Sequence, residues 1–196
     1  MIKYNFSPGP AKLNNSVLEI VNKNIIEYQE EGISILEISH RSDSFEKILE
    51  TTKKNLIELL KIPSNYQILF LQGGATFQNT FLGNNINQKK STSNLITGTW
   101  GQKTYEDFIQ IRDSKKILLE NNQILEFLNQ PLPDDIQNTD YMHITSNETI
   151  EGIQINNFNK IENDLIIDSS SDIGSYIFDW DNVAYLYAGA QKNLGI

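Results

Sequence analysis

The sequence predicts an α/β fold in which a mostly parallel central sheet lies between helices. Short continuous apolar runs alternate along the chain with segments whose apolar residues recur at helical spacing. Such runs are typical of strands buried on both faces, and their alternation with helices is typical of parallel sheets. The 196 residues are 39% hydrophobic and 21% charged, which fits a globular domain with a sizeable core.

The first part of the chain predicts three helices and one strand. Polar capping residues precede each of the first two apolar repeats, and a glycine pair separates the strand from the third helix. The predicted elements are a helix capped by Asn14 or Asn15 that runs to Gly32, a helix capped by Ser44 that ends before Pro63, a strand at 67–71, and a helix from about Thr76.

The rest of the chain predicts six strands, one long helix and a loop that contains a short helix. The strands are short, apolar and bounded by turn residues. They are predicted at 94–97, 116–119, 141–145, 152–155, 164–167 and 183–187, with a helix at 101–112. The stretch 120–140 is rich in Asn, Gln and Pro and predicts a loop with a short helix.

Composition excludes several classes of function. The net charge of −9 and the lack of a basic run argue against nucleic-acid binding. The absence of cysteine excludes disulfides, cysteine metal sites and thiol catalysis, and no metal site is predicted. No apolar run reaches the length of a membrane span and the start has no secretory pattern, so a cytoplasmic protein is expected. Of only two arginines, Arg112 is interpreted as a helix-dipole or surface residue.

The best indication of chemistry is the pair formed by Asp168 and Lys192. Asp168 ends an apolar run, and Lys192 stands among small residues just after another apolar run. An enzyme that uses pyridoxal phosphate (PLP) needs a lysine to form a Schiff base and an acid to keep the pyridine nitrogen charged. The pair therefore predicts a PLP site.

Three further segments suit such a site, although each also has a purely structural interpretation. Gly73–Thr76 joins a predicted strand to a helix, where free N–H groups can hold a phosphate or simply make a turn. Trp100 follows a strand end, where its indole can stack on a ring or pack in the core. Thr149 follows another strand and can contact a cofactor or belong to a turn, and His143 inside that strand is interpreted as structural.

In this order the segments resemble phosphoserine aminotransferase, a family of fold-type I PLP enzymes. The resemblance covers almost the whole chain. It rests on the sequences NFSPGPA at 5–11, EISHR at 37–41, FLQGGA at 70–75, TGTW at 97–100, NETIEG at 147–152 and YAGAQKNLG at 187–195.

The resemblance implies a role for nine residues, carried over position by position. The cofactor lysine is Lys192 and its pyridinium partner is Asp168, the two catalytic residues. The implied cofactor-binding residues also include Ala75, Thr76, Trp100, Thr149 and Gln191, and the implied substrate-binding residues are Arg41 and His40. Some family members have a second serine where this chain has Pro8, so no substrate contact is assigned to Pro8.

The resemblance implies transfer of an amino group between L-glutamate and 3-phosphohydroxypyruvate to give O-phospho-L-serine, in serine biosynthesis and also in the pyridoxine pathway. It further implies a homodimer in complete members. The expected organisation is an N-terminal segment at 1–14 and an incomplete PLP-binding large domain at 15–196, curtailed after the lysine, without the C-terminal small domain. We therefore expect the chain alone to be poorly soluble or loosely packed, and inactive. The alternatives are a non-catalytic remnant and another fold-type I aminotransferase.

Overall fold

The structure is a computed structural model, and it describes residues 4–119, 124, 138–158 and 161–195. Most of 120–140 lies outside these residues, so the loop and short helix expected there remain a prediction. The helices are α1 (Asn15–Ile26), α2 (Asp43–Leu60), α3 (Gly74–Asn85), α4 (Thr99–Phe108) and α5 (Ala190–Asn193), with a 3-10 helix at Ile35–Glu37. The strands are β1 (Thr92–Ile96), β2 (Lys115–Leu118), β3 (Tyr141–Thr145), β4 (Asn147–Glu148), β5 (Ile153–Gln154), β6 (Asp164–Asp168) and β7 (Val183–Tyr187).

Five strands form one parallel sheet in the order β2-β1-β3-β6-β7, which confirms the predicted α/β architecture. The central strands β1 and β3 consist almost entirely of buried residues, and the three middle residues of β6 are buried, as expected for strands covered on both faces. The predicted strand at 152–155 does not join this sheet. Its residues Ile153 and Gln154 instead pair antiparallel with β4 in a separate small hairpin.

The first two helices follow the predicted spacing, but their caps and ends differ in part. Asn14 caps α1 by accepting a hydrogen bond from Ser16 N at 3.1 Å, and α1 ends at Ile26, well before Gly32. The cap of α2 is Ser42, whose Oγ accepts from Phe45 N at 3.3 Å. The prediction of Ser44 as the cap is wrong, because Ser44 already lies inside the first turn.

The segment 67–71 has no regular secondary structure and belongs to no sheet among the described residues, so the prediction of a strand there is wrong. Its apolar side chains Leu69, Phe70 and Leu71 are more than half exposed. The apolar pattern predicted a strand, but a strand needs a neighbour to satisfy its backbone N–H and C=O groups.

Arg112 is buried, which overturns its interpretation as a surface residue. Its guanidinium donates to the carbonyl oxygens of Ile86, Asn87 and Lys90 at 3.1, 3.3 and 2.5 Å. These carbonyls belong to the turn after α3, where helix-end acceptors need donors. Burial lowers the pKa of Arg112, but a guanidinium remains charged at any ordinary pH. Arg112 therefore ties the end of α3 to the segment before β2.

The parallel strands bring the N-termini of helices to one edge of the sheet. Helix α4 begins directly after β1, and α5 begins soon after β7. Loops at the carboxyl ends of parallel strands are where open α/β sheets bind ligands. Within the described part of the chain, no helix is long and apolar enough to cross a membrane.

Candidate active site

A cavity of about 260 Å³ opens at the carboxyl edge of the sheet, between the first turns of α3, α4 and α5. Its walls come from five regions that are far apart in the sequence. They include all seven residues that the sequence assigned to cofactor binding or catalysis: Ala75, Thr76, Trp100, Thr149, Asp168, Gln191 and Lys192.

One wall is the open N-terminus of α3. Its N-cap is Gly73 with φ of +93°, a left-handed conformation that glycine adopts without strain. Among the described residues no side chain caps this helix end, whereas the side chain of Asn14 caps α1 and that of Ser42 caps α2. The N–H groups of the first turn lack intrahelical acceptors and carry the positive end of the helix dipole. Together with the Thr76 hydroxyl they form a site suited to an anion such as a phosphate.

The opposite wall carries the Trp100 indole at the start of α4. The indole Nε1–H donates to Thr149 Oγ1 at 3.0 Å, which ties the ring to the β4–β5 hairpin. Lys192 Nζ lies 5.4 Å from the centre of the Trp100 ring, within the range of a cation–π contact. The indole and the lysine amine therefore meet across the same cavity.

Lys192 is half-buried on α5, and the N-terminal segment packs against it. Ala11 N donates to Lys192 O at 3.1 Å. A Cβ at Gly9 would collide with the Cδ of Lys192, so only glycine allows the segment to approach the aliphatic stem this closely. The segment thus limits the directions in which the lysine side chain can point.

Asp168 lies at the end of β6, facing the cavity. Its Oδ1 accepts a hydrogen bond from Ser170 N at 2.9 Å. Burial raises the pKa of Asp168, and the hydrogen bonds from Ser170 oppose this rise. Neither ion pair found among the described residues includes Asp168. A carboxylate removed from water without a cation is costly, so a cationic ligand group opposite Asp168 would offset that cost.

A buried polar network lies behind Asp168. The Tyr187 hydroxyl is 2.9 Å from His143 Nε2 and donates to Asn79 Oδ1 at 2.8 Å. Burial lowers the pKa of His143 to about 3, so the imidazole is neutral. His143 does not line the cavity, in agreement with its structural interpretation.

Arg41 and His40 are not brought to the cavity. Both are exposed in the connection between the 3-10 helix and α2, and neither is among the cavity-lining residues. Their assignment to substrate binding stays a prediction. Arg112 is occupied elsewhere, so neither of the chain's two arginines lines the cavity.

Several further residues line the cavity that were not predicted from the sequence. Asn79 faces the cavity because it lies one helical turn after Ala75, a spacing that the sequence does show. Ser170 lies two residues after Asp168, and its Oγ accepts from Gly189 N at 2.9 Å, which joins the two loops. Lys103 was not considered, although it lies one turn after Trp100 and provides a second amine in the cavity.

These residues fit PLP, the cofactor implied by the sequence. An uncapped helix N-terminus can hold its phosphate, and an indole face can stack on its ring. Asp168, which belongs to neither ion pair of the described residues, can pair with its ring nitrogen, and a lysine amine lies in the same cavity.

The chain is similar to known proteins over nearly its whole length. Over 98% of this chain, the phosphoserine aminotransferase of Lactococcus lactis subsp. cremoris is 39% identical. The phosphoserine aminotransferase structure from Bacillus circulans subsp. alkalophilus superposes with a TM-score of 0.83 at 38% identity, again over 98% of this chain. The structure of PLP-bound phosphoserine aminotransferase from Trichomonas vaginalis superposes with a TM-score of 0.86 at 30% identity, over 98% of this chain.

The chain spans about half the length of these relatives, with 56%, 54% and 58% of each covered. The family model for class-V aminotransferases matches residues 3–196. The match extends over nearly the whole chain and includes every residue that lines the cavity. The chain therefore belongs to the class-V aminotransferase family.

Proposed function

We propose that the chain binds PLP in this cavity and provides the cofactor half of a phosphoserine aminotransferase site. The proposed reaction transfers an amino group between L-glutamate and 3-phosphohydroxypyruvate and yields O-phospho-L-serine. The observation that carries the proposal is the meeting of Lys192, Asp168, Trp100 and the open end of α3 around one cavity. The relatives, which are phosphoserine aminotransferases at 38–39% identity, support the choice of substrates.

Each wall of the cavity has a distinct task in this proposal. PLP, when bound, supplies an electron-accepting ring on which an amino group can be carried. Lys192 would hold the cofactor through Nζ and move a proton at that atom during transfer. Asp168 would hold the ring nitrogen in its protonated form. Trp100 would cover one face of the ring and exclude water, and the first turn of α3 would bind the phosphate.

Arg41 and His40 belong to the proposal as substrate-binding residues of a homodimer. Both are exposed and do not line this chain's own cavity, which favours a role in the site of another subunit. A guanidinium can bind a carboxylate or phosphate with two parallel hydrogen bonds, whereas an ammonium cannot. In an active enzyme assembled from this chain, Arg41→Lys should raise the KM for the phosphorylated substrate and leave the affinity for PLP unchanged. An unchanged KM would remove Arg41 from the site.

The test of cofactor binding is covalent trapping. The chain is incubated with PLP, reduced with borohydride and digested, and the labelled peptides are identified by mass spectrometry. Of the 14 lysines, Lys192 should carry the label at the lowest PLP concentration. Added inorganic phosphate should compete, because the proposed phosphate site is an open helix N-terminus.

Lys103 provides the matched control, since it lies in the same cavity and forms an ion pair with Asp107 at 3.7 Å. Lys103→Ala should leave the Lys192 label intact, whereas Lys192→Ala should abolish specific labelling. A label on Lys103 or an equal label on surface lysines would contradict the proposed site. A folded chain that takes no label at all would favour the non-catalytic alternative.

A further inference from the structure

Glu148 is a buried carboxylate that the proposed function does not use. It lies on β4, is 0% exposed, and takes part in neither of the ion pairs found in the described ranges. A charged side chain is rarely buried so completely without strong hydrogen bonds to compensate. The position of Glu148 therefore calls for a specific set of donors.

Those donors are the first N–H groups of α4. Glu148 Oε2 accepts from Trp100 N at 2.9 Å, and Oε1 accepts from Gly101 N at 2.8 Å. The N-cap of α4 is Gly98, which has no side chain to cap the helix. Glu148 thus caps α4 from a hairpin about 50 residues later in the sequence, and its negative charge faces the positive end of the helix dipole.

The glycines on either side of Trp100 make room for this carboxylate. A Cβ at Gly98 would lie 2.6 Å from the Cδ of Glu148, and a Cβ at Gly101 would lie 3.1 Å from its Oε1. Any larger residue at Gly98 would displace the carboxylate, because real Cβ contacts are not this short. The TGTWG segment at 97–101 and the NETIEG segment at 147–152 are therefore two halves of one interlocking contact.

The contact determines where the Trp100 ring lies. Glu148 holds the backbone of Trp100, and the adjacent Thr149 accepts the indole Nε1–H at 3.0 Å. Glu151, in the same hairpin, accepts from Thr99 N at 2.9 Å. Backbone and ring are thus fixed by neighbouring residues of one hairpin, so a shift of Glu148 would carry through to the indole.

We propose that Glu148 is a positioning residue, which locks the first turn of α4 to the β4–β5 hairpin and so holds the Trp100 ring in the plane needed to cover the cofactor. Covering the cofactor rests on the proposed function. The locking of Trp100 does not, and it can be measured in the chain without PLP.

The first test needs no variant. Amide hydrogen exchange is measured by NMR for the first turns of α3 and α4. Both helices have a glycine as N-cap, so neither is capped by the side chain of its own N-cap residue. The Trp100 and Gly101 amides should exchange at least about tenfold more slowly than those of Ala75 and Thr76, since a satisfied donor is protected and an open one is not. Equal exchange in the two helices would overturn the proposal even if every variant failed to fold.

The second test uses Glu148→Gln, which keeps the side-chain shape but replaces one acceptor oxygen with an NH2 group facing a donor. The chain has only two tryptophans, so the indole N–H signal of Trp100 can be compared with that of Trp180, which donates to Leu60 O. In the variant, the Trp100 backbone amide and indole N–H should both exchange at least about tenfold faster. The Trp180 signal should not change.

Two further variants separate positioning from simple capping. Glu106→Gln removes the same charge from the exposed face of α4 and should change neither Trp100 signal. Thr149→Val should accelerate exchange only at the indole, because it removes only the acceptor of Nε1–H. If Glu148→Gln accelerates the backbone amide and leaves the indole unchanged, Glu148 is only a helix cap and the positioning role is wrong.

Binding of PLP gives a separate result. Glu148→Gln should lower the affinity for PLP, measured by absorbance titration. Lys192 should still be the lysine that is labelled after reduction with borohydride. Unchanged affinity together with a mobile indole would show that Trp100 need not be fixed to cover the cofactor, which would overturn the functional part of the proposal. If the unaltered chain does not bind PLP, the proposed function fails, and the exchange measurements still decide the role of Glu148.

Discussion

Removal of the Tyr187 hydroxyl tests how much the buried network behind Asp168 contributes to stability. Asn79 Nδ2 donates to Asp107 Oδ2 at 2.9 Å, so its Oδ1 faces Tyr187 and accepts the hydroxyl proton. His143 then donates from Nε2 to the same hydroxyl at 2.9 Å. In this tautomer Nδ1 of His143 has a lone pair and no proton, in agreement with the absence of a partner for that atom among the described residues. Tyr187 thus satisfies one buried donor and one buried acceptor.

Tyr187→Phe leaves both of these groups buried and unpaired. Each unsatisfied buried polar group costs about 1–3 kcal/mol, so two groups predict a loss of roughly 2–4 kcal/mol of unfolding free energy. This is the lower half of the range of about 2–6 kcal/mol that two such groups could cost. We take the lower half because the variant has no hydroxyl that must be removed from water on folding. A loss of this size should accelerate exchange of the most protected amides by roughly 30- to 700-fold, at 1.4 kcal/mol per factor of ten.

The assay is native-state hydrogen exchange of the β3, β6 and β7 amides, which reports local opening without requiring a single cooperative unfolding transition. Tyr185→Phe is the matched control, because Tyr185 lies on the same strand but is 38% exposed. The control should change exchange by less than about threefold, as is usual for surface substitutions. If Tyr187→Phe behaves like Tyr185→Phe, the network does not stabilise the sheet and our assignment of the proton positions is wrong.

Three further predictions concern cofactor binding, pH and turnover. Asp168→Ala should weaken PLP binding in an absorbance titration by at least about tenfold, because one charge-assisted contact is lost. Lys192 should still be labelled at a high concentration of PLP. An unchanged affinity would show that Asp168 is only structural. Because burial lowers the pKa of His143 to about 3 from 6.5, the unfolded chain takes up a proton that the folded chain does not, so stability should fall as the pH falls from 6.5 towards 3. His143→Gln should reduce this slope by up to about 1.4 kcal/mol per pH unit, and an identical slope in exchange-derived stability would contradict it. The chain alone should form no phosphoserine from glutamate and 3-phosphohydroxypyruvate, because neither Arg41 nor Arg112 lines the cavity to bind a substrate carboxylate. Turnover above that of PLP in solution would show that another group binds the carboxylate.

Sequence alone determined the features that depend on neighbouring residues. Helical spacing located α2 and α4, and continuous apolar runs located β3 and β7 with their observed limits. The motifs also identified seven residues that meet at the cavity, because chemically distinctive side chains at strand ends are visible in a sequence even when their contacts are not. These inferences need only local periodicity, turn chemistry and the tendency of open parallel sheets to bind ligands at the carboxyl ends of their strands.

Tertiary structure alone decided everything that depends on partners distant in sequence. The apolar run at 67–71 joins no sheet of the described residues, because pairing requires a neighbouring strand and not only a pattern. Arg112 is buried because three carbonyls after α3 accept its guanidinium, and Glu148 is buried because α4 lacks a cap of its own. Charge by itself predicts exposure for both. Whether a charged side chain is buried depends on the hydrogen bonds that replace its water, and the fold supplies those from parts of the chain that sequence spacing does not connect.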